Sequence, residues 1–117
     1  MRKLALLVAC LALVLGATAA FAHHGWSSYD ADKSLNFEAP IKTVSYRNPH
    51  AHITVDFEGR EWHVVLAPIS RMAARGLPES DLLPGKRITI VGYPRKDGEA
   101  EIRAERVIVD GRTVELR

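Results

Sequence analysis

The sequence predicts a mainly β fold: a small OB-like (Greek-key) barrel with one short helix between strands three and four, preceded by a signal peptide. Three observations carry this expectation. Alternating apolar and polar stretches recur from Leu35 onward, each bounded by Gly, Pro or Asn-Pro turn chemistry. One stretch alone, Pro68 to Arg75, has helical spacing. It falls after the third strand, where OB barrels carry their helix, which favours that order over an SH3-like barrel or an open β-sandwich.

The elements follow in order. Met1-Arg2-Lys3 opens the chain, an apolar run from Leu4 to Leu15 follows, and small residues lead to Ala20-Phe21-Ala22. A basic start, an apolar run of about a dozen residues and an A-x-A end make a secretory signal peptide, cut after Ala22. The run is shorter than the ~18 to 20 residues of a spanning helix, and no second apolar span follows. Leu7-Val8-Ala9-Cys10 fits a lipobox by letter, but Cys10 sits inside the apolar run. The expected division is therefore a signal peptide at 1–22, an N-terminal segment at 23–34 and the barrel domain at 35–117.

Leu35, Phe37, Ala39 and Ile41 alternate, and the apolar parity then shifts to Val44 and Tyr46, as a β-bulge in one long strand would cause. Asn48-Pro49 breaks the chain. The second strand, Ala51 to Glu58, turns Ile53, Val55 and Phe57 inward and His52, Thr54, Asp56 and Glu58 outward. Gly59-Arg60 fits a two-residue hairpin with Gly at the first central position, and Trp62, Val64 and Leu66 line the return strand. After the helix, which stops at Gly76, Pro84-Gly85 leads to a strand at Arg87 to Tyr93. Lys96-Asp97-Gly98 leads to one at Glu101 to Val109, and Asp110-Gly111 to a last one at Thr113 to Leu116.

Composition excludes several function classes. The single cysteine, Cys10, leaves with the signal peptide, so the mature chain has neither disulfides nor thiolate ligands. Sixteen Lys and Arg stand against 14 Asp and Glu in the whole chain, but Arg2 and Lys3 also leave, so the mature surface is neutral and gives no case for nucleic acid. Ser70 and Ser80 lack a nucleophile-elbow context, and phosphate-binding glycine loops are absent.

All five histidines, at 23, 24, 50, 52 and 63, lie in the mature chain. His50 and His52 are two apart on a strand, so they share a face about 7 Å apart and can meet one ion. A turn at Gly59-Arg60 would put His63 opposite Asp56, about 13 Å along the strand from His52, on the same face but outside the site. Signal cleavage would leave His23 with a free amine. An amino-terminal His chelates through that amine and its own Nδ1, and a further imidazole gives a nitrogen set that suits Cu(II). Trp26 and Tyr29 are expected to pin the opening segment to the barrel or to contact a ligand or partner. Arg71 and Arg75 share a helix face, read as solvated, and Glu101, Arg103 and Glu105 read as an outward charge ladder.

The start His23-His24-Gly25-Trp26, the stretch Tyr46-Arg47-Asn48-Pro49-His50-Ala51-His52-Ile53, Trp62, Arg75-Gly76-Leu77, Leu83-Pro84-Gly85 and Gly92-Tyr93 together resemble a family of small exported bacterial proteins known only as a domain of unknown function. The resemblance implies export and a β-barrel. The expectation from the residues is a periplasmic protein that binds a transition metal, copper first, through His23, His24 and His50 with His52 as a fourth ligand, in carriage or buffering. The alternative is a non-enzymatic module that uses Trp26, Tyr29 and the second-strand face to bind an envelope protein, a polymer or a small ligand. An enzyme using the same chelate, such as a copper oxygenase, is disfavoured because so small a barrel offers little substrate surface.

Overall fold

The computed structural model describes residues 25–117; the expected signal peptide, with His23 and His24, lies outside them. Six strands follow one another: β1 (Leu35–Ser45), β2 (His52–Phe57), β3 (Arg60–Val65), β4 (Arg87–Pro94), β5 (Glu101–Val109) and β6 (Arg112–Glu115). The helix α1 (Ile69–Ala74) lies between β3 and β4. The sheet runs β3-β2-β1-β4-β5-β6, and a parallel pairing of β3 with the first half of β5 closes five strands into a barrel. Closure removes the exposed sheet edge that a small open sheet would present. β6 pairs with the second half of β5. The expected OB-like barrel and helix position are therefore observed. No helix among the described residues is long and apolar enough to cross a membrane.

β1 serves two neighbours in turn. Its first half, to Pro40, pairs with β4, and from Ile41 it pairs with β2 across a register shift between Ile41 and Thr43. The parity change read in the sequence is this bulge, which bends the strand around the barrel. Alternate residues of all strands fill the interior: Ile53, Val55, Val64, Ile88, Ile90, Ile102 and Val107 are fully buried, each stabilising by about 1.5 to 3 kcal/mol relative to exposure. α1 buries Met72 in the same core. It ends in a Schellman motif: Gly76, at φ 77°, donates to Ala73 O and Leu77 N–H donates to Met72 O.

At Gly92 the backbones of β4 and β5 come so close that a Cβ would stand 2.3 Å from the Arg103 carbonyl oxygen. Only glycine fits there, and the register shift after Val91 lies at the same place. This contact fixes where β5 presents Arg103.

The β2–β3 hairpin differs from expectation. Glu58 and Gly59 are its central residues, both at positive φ, 50° and 77°, so the turn is type I′ with Gly second, where Gly59-Arg60 had been expected with Gly first. Both turns suit the twist of the strands; the one formed shifts the register by two. His63 therefore pairs with Thr54 and not with Asp56. A shift of two keeps each side chain on its face, so the inward set is unchanged while the outward neighbours are not.

Candidate functional site

The opening segment folds back onto the open end of β4. Residues Trp26–Ser28 form a single 3-10 turn, Tyr29 makes a β-bridge with Arg95, Asp30 N–H donates to Pro94 O, and Lys96 N–H donates to Ser28 O. Two aromatic rings hold it there. Tyr29 is buried, and its hydroxyl donates to Glu101 at 2.6 Å. Burial first, and then the Glu101 carboxylate, push the Tyr29 hydroxyl up to about 12. The Trp26 ring meets Tyr29 and Tyr93 edge-on, and the guanidinium carbons of Arg103 and Arg117 lie 4.6 and 4.5 Å from its centre.

Three histidines gather beside this segment. Ala51 extends the β2–β3 ladder by exchanging hydrogen bonds with Leu66 and Ala67, and its side chain is fully buried, so His50 and His52 on either side of it turn outward together. His50 follows the cis Asn48-Pro49 bond and lines a cavity of about 410 Å³ together with Tyr29, Arg95, Glu101 and Arg103. His52 lies diagonally across the ladder from His63, and their ring centres are 4.6 Å apart. His63 in turn lines a second cavity of about 330 Å³, which shares Arg95 and Glu101 with the first.

The surroundings favour neutral imidazoles. Partial burial, then the Arg103 and Arg71 charges and His52, hold His50 below its ordinary range. Partial burial, then His63 and Arg47, do the same for His52. A neutral ring keeps a nitrogen lone pair free for a metal or a hydrogen bond. Among the described residues, however, no three His, Asp, Glu or Cys side chains are arranged to hold a metal ion.

Each expected site residue can now be placed. His50 and His52 share a face, Tyr29 lines the same cavity as His50, and Trp26 packs on Tyr29 and Arg103; His23 and His24 lie outside the described residues. His63, expected about 13 Å from His52, is its ring neighbour, because the type I′ turn slides β3 along β2. The charge ladder of β5 is not one either: Glu101 takes the Tyr29 hydroxyl, Arg103 lies over Trp26, and Glu105 takes the Tyr93 hydroxyl. Arg71 and Arg75 are not merely solvated, since they donate to the carbonyls of Leu116 and Glu115 and tie α1 to the end of the chain. The signal for the histidine pair was present in Glu58-Gly59, which fits a type I′ turn as well as Gly59-Arg60 fits the alternative. Nothing in the local sequence aims Arg103 at Trp26, because the two are brought together only by the docking of the opening segment on the end of β4, beside β5.

No curated protein matches the chain. A protein-family model does match, over residues 10–103, and the match spans the histidine face, the helix and the strand that carries Arg103; the chain belongs to a family of unknown function (DUF6152).

Proposed function

We propose that this is an exported protein, cleaved after Ala22, that binds a transition metal, copper first, in carriage or buffering without turnover. The amine and imidazole of His23, with His24, supply donors that join His50 and the outward imidazoles of β2 and β3. The observation that supports this most is the His52–His63 pair at 4.6 Å on the same face as His50. Two or three imidazoles from rigid strands form part of a nitrogen site, and the described residues lack a complete set, so the reading requires a donor from elsewhere in the chain. The segment before Gly25 is the nearest source. His24 is two residues from Trp26, a span of about 7 Å at most, and Trp26 lies against Arg103, which lines the His50 cavity.

The test compares the chain starting at His23 with one carrying an extra alanine before His23, and with His50→Ala and His52→Ala. Copper affinity is measured by competition against a chelator of known strength. The expected result is one tightly held ion in the native chain and a loss of at least about tenfold in each variant. Equal, weak binding by the native and extended chains overturns the proposal. A melting temperature indifferent to copper would favour the second reading, a binding module without metal. That reading rests on the same face, where the 410 Å³ cavity opens beside Tyr29.

A further inference from the structure

Arg103 is poorly accounted for by packing alone. Its guanidinium carbon lies 4.6 Å from the centre of the Trp26 ring, and its Nε is buried with no hydrogen-bond acceptor among the described residues. A buried donor without a partner costs free energy that nothing among the described residues returns. Glu101 is the one carboxylate among the described residues lining the cavity, and it is already engaged by the Tyr29 hydroxyl at 2.6 Å and by Arg95 Nη1 at 3.4 Å. Arg95 itself is spent on both oxygens of Asp97. Arg103 feels the Tyr29 hydroxyl and Glu101 as favourable neighbours, but no carboxylate among the described residues pairs with it directly. Arg71 adds a second positive charge near it and donates only to the Leu116 carbonyl.

The cavity in front of Arg103 therefore combines an underused planar cation with carbon surface from Pro49 and Val65, in a volume of about 410 Å³. We propose that this cavity binds a small organic carboxylate, with its carboxyl group on the fork of Arg103 and its carbon skeleton against Pro49 and Val65. A guanidinium seated against an indole is already restrained, so less of its freedom is lost when it makes the two parallel hydrogen bonds that a carboxylate accepts. The volume suits an acid of a few carbons. A carboxylate here meets the terminal nitrogens of Arg103 and balances the Arg71–Arg103 repulsion. Burial lowers the Arg103 guanidinium from its ordinary range and Arg71 adds to this, while Tyr29 and Glu101 act in the opposite direction. The site goes beyond the metal reading and does not depend on it, although His50 borders both.

The experiment is a titration of the metal-stripped chain 23–117, in chelator, followed by proton–nitrogen NMR at the Arg103 Nε–H and the Trp26 indole N–H. The probes are butyrate, its neutral counterpart butyramide, and inorganic phosphate. Butyrate is expected to saturate in the millimolar range or tighter and to shift both resonances. Butyramide is expected to bind at least about tenfold more weakly, and Arg103→Gln to weaken butyrate by a similar factor. Arg87→Gln, which alters an exposed pair with Glu38, should leave butyrate binding unchanged. If Arg103→Gln fails to fold, the wild-type shifts still decide the matter. The absence of saturation, equal binding of butyramide, or tighter binding of phosphate than of butyrate overturns the proposal. A chain with His23→Ala and His24→Ala separates the two readings, since it should lose copper and keep butyrate.

Discussion

Two flanks of the same barrel handle charge in opposite ways. On the outer face of β1, β2 and β3, Lys42 bridges Asp56 at 3.3 Å and Glu61 at 2.7 Å, and the Thr43 and Thr54 hydroxyls pair at 2.6 Å. Around the base of β4, Arg87 pairs with Glu38 and Lys86 with Asp110. Every one of these charges meets its opposite in water. At the end covered by Trp26 and Tyr29, Arg95 pairs with Asp97 and Glu101, but like also meets like: the His52 ring lies against His63, Arg103 feels Arg71, and a guanidinium nitrogen is buried without an acceptor among the described residues. Solvated pairs contribute little to stability and need no further explanation. Partly buried groups without an opposite partner work against folding, and their concentration at one end of a well-paired barrel is what the proposed binding sites rest on.

The comparison can be broken at four points, in falling order of effect. Gly92→Ala should be the most damaging, because its Cβ would collide with the Arg103 carbonyl on the neighbouring strand. A loss of about 3 kcal/mol by urea unfolding is expected, and a neutral result would show that β4 and β5 can separate there. Tyr29→Phe removes the hydroxyl that Glu101 accepts and should cost about 1 kcal/mol. It carries a pH signature as well. The Tyr29 hydroxyl is raised in the folded state, so its contribution is complete below pH 10 and is lost as pH rises towards about 12; the variant should melt with a flatter alkaline limb.

His63→Ala tests the histidine end. His52 is lowered in the folded chain, by burial first and by His63 next, so its contribution is full above its ordinary value near 6.5 and is lost as pH falls through the lowered one. Removing His63 should bring the NMR titration midpoint of His52 upward and lessen the acid-side fall in melting temperature, a change of no more than a few degrees. An unmoved midpoint would mean that the two rings do not sense each other. The smallest effect belongs to the paired flank: Lys42→Met should leave the melting temperature unchanged within error, and a clear loss there would remove the contrast between the two flanks.

Much of the barrel was legible in the sequence because its signals are local. Alternation from Leu35 to Ile41 and from Ile53 to Phe57, the bulge, and the Pro68-to-Gly76 helix each depend on a few neighbouring residues, and each appears where expected. The site was legible only in part. His50 and His52 could be put on one face from spacing alone, whereas His63 depended on which of two adjacent dipeptides formed the turn. Gly59 satisfies either choice, as first residue of one turn type or second residue of the other, so sequence could not decide between them. Glu101 and Arg103 find their partners on the opening segment, which docks on the end of β4 from far away in sequence, and Glu105 meets Tyr93 across the β4–β5 ladder. Local pattern carries no trace of such contacts.

The indole of Trp26 has a practical consequence for anyone handling this protein. Because Arg117 lies over the same ring as Arg103, whatever is fused after residue 117 emerges next to the opening segment. A polyhistidine purification handle placed there would bring six or so foreign ligands to the neighbourhood of His50, and metal retained by such a preparation would report on the handle. A cleavable tag that leaves no imidazole behind is therefore part of any meaningful metal measurement on this chain.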